Sequence, residues 1–118
     1  MHFLLVFIGG GLGSLCRYGI ALIIKPYALI FPYATLCANL LSCILIGFLM
    51  AKGNVLQSPQ KLFLMTGFCG GFSTFSTFSA ESLQLLQAGH FAFGLLNIGG
   101  SILLGLLAVV LGLKLGGL

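Results

Sequence analysis

The chain has 118 residues, of which five are basic, one is acidic and 59% are hydrophobic. Soluble domains carry about a quarter charged residues, so this composition excludes a soluble fold. It predicts an all-α integral membrane protein, surrounded by the lipid bilayer. We expect neither a nucleic acid nor a protein substrate as a partner.

Four apolar stretches are long enough to cross a bilayer, which takes roughly 20 residues. The predicted spans cover about residues 3–24, 32–51, 60–88 and 91–113, the third of them broken. Pro26, Pro32 and Pro59 support these limits, because proline fits the first turns and the ends of helices. We expect one four-helix transmembrane domain over residues 1–118.

The chemistry-bearing residues do not form an enzyme site. The four cysteines fall inside predicted spans, without a CxxC pair and without a histidine at metal-ligand spacing; they are Cys16, Cys37, Cys43 and Cys69. They are interpreted as small buried thiols. The chain contains no aspartate, so a Ser-His-Asp triad is impossible. We therefore do not expect an enzyme.

The basic residues are nearly balanced between the two sides of the membrane. Lys52, Lys61 and Lys114 fall on the side of the amino terminus, and Lys25 and Arg17 toward the other. Because lysine and arginine near span ends set orientation, a chain this balanced is expected to insert both ways up, which permits an antiparallel pair. A four-helix chain also encloses little interior, so its size favours an oligomer.

Small residues recur at a spacing of four in the first and fourth spans. Examples are Gly9-xxx-Gly13 and Gly112-xxx-Gly116, a pattern that lets helix backbones approach closely. Two interpretations stand at this point: contacts within one chain, or contacts between chains.

A few polar residues lie within or beside the spans. Asn39 either bonds two helices together or lines a pathway, and Asn97 with Ser101 forms a second polar stripe. Arg17 is either a functional charge or a structural arginine at a water-filled vestibule. Glu81, the only acid, is expected near a mouth or loop, where it tunes ion entry or caps solvent.

The run GFCGGFSTFSTF at residues 67–78 combines glycines, hydroxyls and aromatic rings. On a helix, Phe72, Phe75 and Phe78 form a ridge beside ridges of serine and threonine. Ring edges are positive and hydroxyls donate hydrogen bonds, although such a stripe also suits core packing. The pair Gly70-Gly71 predicts a helix break, whose freed carbonyls and new helix start stabilise ions. The positive net charge favours an anion in transit.

This run closely resembles the signature of the CrcB/Fluc fluoride channels. Gly9-Gly10 with Gly13 and Arg17-Tyr18 is similar to the first-helix pattern of that family, and Asn39 to its second-helix asparagine. The resemblance covers nearly the whole chain. Two positions depart from it: Ser73 stands where threonine is frequent, and Ser42 where glycine is frequent.

The resemblance implies a passive, highly selective fluoride channel of a bacterial plasma or inner membrane, which exports fluoride and lowers its cytoplasmic concentration. It further implies an antiparallel dual-topology homodimer with a structural sodium ion at the interface. The implied fluoride pathway consists of Phe75, Phe78 and Asn39, with Ser76, Thr77 and Ser101 as further polar residues. The backbone carbonyls of Gly70 and Ser73 would hold the sodium.

Two other functions fit parts of the sequence. A small multidrug-resistance type proton-coupled exporter is similar in length, span count and dual topology, but it needs a carboxylate in the first span, and residues 3–24 contain none. A non-transporting assembly subunit explains the small-residue faces but not the hydroxyl and aromatic ridges.

Overall fold

The computed structural model describes all 118 residues and contains helices and connections, with no β-strand. The long helices are α1 (His2–Ile24), α2 (Tyr33–Ala51) and α6 (Phe91–Leu115), and a short 3₁₀ turn, Lys25–Tyr27, continues α1. The segment between α2 and α6 contains α3 (Ser58–Lys61), a π-helix (Leu62–Cys69), α4 (Gly70–Phe72) and α5 (Phe75–Gln87). The predicted all-α fold is confirmed.

Three helices are long and apolar enough to cross a membrane: α1 with its 3₁₀ turn, α2 and α6. The third predicted span, 60–88, exists as two helical pieces, residues 58–72 and α5. Between them Ser73 has φ −83°, ψ 157° and Thr74 has φ −150°, ψ 117°, so the backbone at both residues is extended.

The predicted position of the break, Gly70-Gly71, was wrong. Gly70 is helical, with φ −62° and ψ −36°, and the chain unwinds only at Ser73 and Thr74. Gly71 instead allows a close contact, because a Cβ there would lie 2.2 Å from the carbonyl oxygen of Gly10. The glycine at this position is needed for helix packing and not for an unusual backbone conformation.

The helix α1 packs against residues 58–72 through its glycines. A Cβ on Gly9 would lie 2.3 Å from the carbonyl oxygen of Phe63, and one on Gly13 would lie 2.2 Å from that of Phe68. Real side chains are excluded at such distances, so the two backbones touch. This glycine pattern therefore makes contacts within the chain.

The α2 and α6 helices are held together in the same way. A Cβ on Gly47 would lie 2.2 Å from the carbonyl oxygen of Val109, and one on Gly112 would lie 2.0 Å from that of Ile44. Small residues are the usual contact points between membrane helices, because lipid tails are as apolar as leucine and close packing must supply the attraction. These contacts also lie within one chain.

A tight turn places α5 beside α6. Gly89 has φ +84°, a left-handed conformation that favours glycine. The amide of His90 donates to the carbonyl of Leu85 at 2.9 Å, and that of Gly89 to Leu86 at 3.2 Å, which caps the end of α5. The side chains of α5 can therefore bond to those of α6 near the centre of the molecule.

Candidate functional site

The side chain of Asn39 forms hydrogen bonds with the backbone amide and carbonyl of Thr74, at the break. The amide of Thr74 donates to Oδ1 of Asn39 at 2.8 Å, and Nδ2 of Asn39 donates to the carbonyl of Thr74 at 3.3 Å. An unpaired backbone group in the hydrocarbon region costs several kcal/mol. Asn39 on α2 thus allows the third span to unwind at membrane depth.

Thr74 caps the helix that starts after the break. Its Oγ1 accepts from the amide of Thr77 at 3.3 Å and donates to Oγ1 of Thr77 at 3.2 Å. The hydroxyl of Ser76 lies 3.4 Å away. Threonine is a preferred residue at this position, a signal in the sequence that could have identified Thr74, which was not among the predicted site residues.

The break leaves two carbonyl groups without their usual helical donors. In an α-helix the carbonyl of Gly70 would accept from Thr74, but that amide bonds to Asn39, and the amide of Ser73 bonds to Cys69. The carbonyl of Ser73 accepts no hydrogen bond either. Carbonyl oxygens are ligands for hard cations, and no group of three or more His, Cys, Asp or Glu side chains is placed to hold a metal.

Arg17 reaches the break from α1. Its Nε donates to the carbonyl of Gly71 at 3.2 Å, and the hydroxyl of Ser14 lies 3.5 Å from the same oxygen. The half-buried guanidinium therefore links α1 to residues 58–72. It does not sit in a loop at the end of the helix.

A cleft of about 260 Å³ opens beside the break. Its polar lining comes from Asn39, Ser73, Thr74 and Ser101, and its aromatic lining from Phe75 and Phe78. Leu36, Leu40, Cys43, Ile102 and Gly105 complete the wall. The cleft thus brings together residues from α2, α5 and α6 with the extended pair at the break.

Four of the six predicted pathway residues line this cleft: Asn39, Phe75, Phe78 and Ser101. The other two, Ser76 and Thr77, lie on the first turn of α5 and contact the cleft only through the hydroxyl of Thr74. The ring of Phe75 is 79% exposed, and its centroid lies 5.8 Å from that of Phe78. The cleft is therefore open on one side of the single chain.

Phe72 is not part of the aromatic pair. The break separates it from Phe75, so the predicted ridge of three phenylalanines does not form. Its side chain is buried, and its ring lies 5.5 Å from that of Phe68. Phe72 therefore packs within residues 58–72, and the aromatic rings of the cleft are those of Phe75 and Phe78.

Glu81 lies in a second cleft of about 230 Å³, away from the phenylalanine pair. The wall of this cleft includes Leu29, Pro32, Gln84 and Leu85. The Oε1 atom of Glu81 is buried and has no hydrogen-bond partner in the chain. The only acidic side chain therefore lies on α5, facing the connection between α1 and α2.

The family described as "CrcB-like protein, Camphor Resistance (CrcB)" matches residues 4–113. The chain belongs to the CrcB-like family. Together with its long apolar helices, membership in this family makes the chain a multi-pass protein of the cell membrane.

The CrcB-like chain is similar over most of its length to proteins with the name fluoride-specific ion channel FluC. It is 46% identical to the protein of Chlorobium chlorochromatii over 115 residues, which cover 95% of this chain and 89% of that protein. With the protein of Flavobacterium psychrophilum it shares 46% over 110 residues, covering 90% and 89%. With that of Dehalococcoides mccartyi it shares 45% over 119 residues, covering 98% and 92%.

Proposed function

We propose that this CrcB-like chain is the subunit of a passive, selective fluoride channel, through which fluoride leaves the cell and its cytoplasmic concentration falls. The observation that carries the proposal is the cleft in which Asn39, Phe75 and Phe78 meet beside a break in the third span. The names of the relatives support fluoride as the ion. On this basis the chain is an ion channel and not an enzyme.

The cleft offers the side-chain amide of Asn39 and no acidic side chain to an anion. Moving a small ion into an apolar medium costs tens of kcal/mol by Born estimates, so the pathway must replace the water that the ion loses. Asn39 uses one Nδ2 hydrogen for the carbonyl of Thr74, and its second hydrogen is available. The positive edges of Phe75 and Phe78 add weaker attraction.

Charged and hydroxyl groups extend this pathway beyond the cleft. Ser76 and Thr77 continue it along α5 through their contacts with Thr74. Arg17 adds positive potential next to the break, while its bond to Gly71 holds α1 in place. Glu81, at the middle of α5, lies in a separate cleft, and its proposed role is at the mouth of the pathway.

A second copy of the chain closes the cleft in the proposed assembly, an antiparallel homodimer. The cleft is open on one side and contains irregular backbone, which membrane proteins keep away from lipid. Gly70 lies on the exposed surface, and a Cβ there would meet nothing within 4 Å. Its surface therefore leaves room for a close approach by another backbone.

The basic residues near the helix ends stay nearly balanced between the two sides of the membrane. Arg17 is half-buried, so Lys52, Lys61 and Lys114 on one side face Arg17 and Lys25 on the other. Lysine and arginine near span ends set orientation. Both orientations are therefore expected to insert, as the proposed antiparallel homodimer requires.

Sodium is the proposed structural ion at the dimer interface. The carbonyls of Gly70 and Ser73 would hold it, because the break removes their helical donors. The same two carbonyls from the second copy would complete the site. A bound cation would offset the repulsion between these partly negative carbonyl oxygens.

The exporter considered above receives no support from the structure. Its proton exchange needs a carboxylate in the first span, whereas Glu81 lies on α5. Membership in the CrcB-like family also separates the chain from that class.

Purified protein in liposomes loaded with potassium fluoride is expected to release fluoride rapidly once valinomycin balances the charge. Liposomes loaded with chloride are expected to retain it, because pore width and the placement of donors set ion selectivity, and the proposed pathway is lined by Asn39, Phe75 and Phe78. A fluoride electrode and a chloride electrode measure the two fluxes. Proteoliposomes that contain folded dimers but pass no fluoride would overturn the proposal, and equal fluxes would overturn its selectivity.

Replacing all sodium with N-methylglucamine during purification is expected to lower both the dimer fraction and the fluoride flux. The physical reason is repulsion between the freed carbonyls of Gly70 and Ser73 when no cation lies between them. Size-exclusion chromatography measures the dimer, and restoring sodium is expected to recover it. Unchanged dimers and flux without sodium would exclude a structural sodium site.

A further inference from the structure

Four groups form a chain of hydrogen bonds from the wall of the cleft to the backbone of α5. The hydroxyl of Ser101 donates to Oδ1 of Asn97 at 3.2 Å, and Nδ2 of Asn97 donates to Oγ of Ser82 at 2.8 Å. The hydroxyl of Ser82 donates to the carbonyl of Phe78 at 2.8 Å. Asn97 and Ser82 are 2% and 4% exposed, so water does not compete for these bonds.

The carbonyl of Phe78 fixes the direction of every bond in this chain. A carbonyl only accepts, so the single hydrogen of Ser82 is committed to it. Ser82 must then accept from Asn97, which directs Nδ2 of Asn97 toward Ser82 and Oδ1 toward Ser101. Because Oδ1 only accepts, the single hydrogen of Ser101 is committed to Asn97. While Ser82 bonds to Phe78, flipping the amide of Asn97 would set its Oδ1 against the oxygen of Ser82, so that two acceptors face each other.

The two polar walls of the cleft therefore have opposite character. Asn39 on α2 has an Nδ2 hydrogen left after its bond to Thr74. Ser101 on α6 has only oxygen lone pairs left, because its hydrogen is turned toward Asn97. An anion is attracted to the first wall and repelled by the second, whereas a water molecule can donate to Ser101 and to the anion at the same time.

We infer that Asn97 is a positioning residue that keeps the hydroxyl hydrogen of Ser101 out of the cleft; this inference rests on the proposed fluoride channel. Fluoride then crosses on the Asn39 side and keeps one water, which bridges it to Ser101. This arrangement weakens the binding of the ion in the cleft and so favours its release. Ser82 supports Asn97 by fixing the direction of its amide.

The test is the concentration dependence of the fluoride current in planar bilayers. Asn97→Leu has nearly the same volume but cannot accept from Ser101, so the serine hydrogen is free to turn into the cleft. The half-saturating fluoride concentration is expected to fall about tenfold, the gain from one hydrogen bond to an ion. Adding Ser101→Ala to Asn97→Leu is expected to reverse that fall, because no hydroxyl remains to bind the ion.

A second pair of variants covers the case in which Asn97→Leu does not form dimers. Ser82→Ala releases the amide of Asn97 to flip and is expected to lower the half-saturating concentration, whereas Ser82→Thr keeps the hydroxyl and the wild-type value. Ser42→Ala is the matched control, because it removes a buried interhelical bond to Cys69 of 3.1 Å outside the hydrogen-bond chain. It is expected to leave the half-saturating concentration unchanged.

The outcomes separate this inference from the proposed function. A wild-type protein without fluoride current overturns the function itself. With a normal wild-type current, an unchanged half-saturating concentration in Asn97→Leu and Ser82→Ala overturns the role of Asn97. So does an Asn97→Leu effect that Ser101→Ala fails to reverse, since a packing defect would behave in that way.

Discussion

Asn39→Ala is expected to reduce the fluoride flux at least tenfold, the largest functional effect of any single replacement in the cleft. The variant loses both bonds to Thr74 and the hydrogen directed at the ion. Leaving a buried donor or acceptor unpaired costs about 1–3 kcal/mol, and about 1.4 kcal/mol corresponds to a factor of ten. Fluoride efflux from liposomes containing equal amounts of dimer measures the effect.

Two further variants separate the structural and ion-binding roles of Asn39. Asn39→Asp retains an acceptor for the amide of Thr74 but cannot donate when ionised, so we expect dimers without flux. Asn54→Ala, in an exposed turn, is the control and is expected to conduct like the wild type. Full flux through Asn39→Ala dimers would show that Asn39 neither holds the break nor contacts the ion.

Gly13→Ala is expected to have a large effect on stability. The new Cβ would lie 2.2 Å from the carbonyl oxygen of Phe68 and 2.7 Å from the amide nitrogen of Phe72. Both atoms belong to backbone, so α1 must move away from residues 58–72. Overpacking costs typically about 1–3 kcal/mol, and here it also stretches the bond from Arg17 to Gly71. A large fall in the thermal unfolding midpoint in detergent is the expected result.

Gly11→Ala is the matched control on the same helix. Gly11 is exposed, and a Cβ there would meet nothing within 4 Å. Alanine is also a better helix former than glycine by about 1 kcal/mol, so no loss of stability is expected. If both variants unfold at the same temperature, the close contact between α1 and residues 58–72 does not determine stability.

The sequence by itself determined the features that depend on local composition. Hydropathy predicted the helical membrane fold, because each span in the bilayer must satisfy its backbone polar groups with hydrogen bonds of its own. The run at residues 67–78 predicted a broken helix carrying Phe75 and Phe78, and family membership is carried by residues along nearly the whole chain. The glycines predicted close helix contacts, although their spacing left open which helices they join.

Only the tertiary structure decided where the third span breaks and which polar groups share a cleft. The break lies at Ser73 and Thr74 because Asn39, on another helix, bonds to the amide and carbonyl of Thr74. Gly70 and Gly71 remain helical, and Gly71 packs closely against the backbone of Gly10. These outcomes depend on contacts between residues far apart in the chain, which local propensity does not encode.

The direction of the hydrogen bonds around Asn97 is also decided by the tertiary structure. From spacing, Asn97 and Ser101 formed a polar stripe, but the spacing did not say which of their groups donate. The bond from Ser82 to Phe78 on the neighbouring helix sets that direction for Ser101. A hydroxyl has one hydrogen and several possible acceptors, so only the packing of α5 against α6 decides which of them it uses.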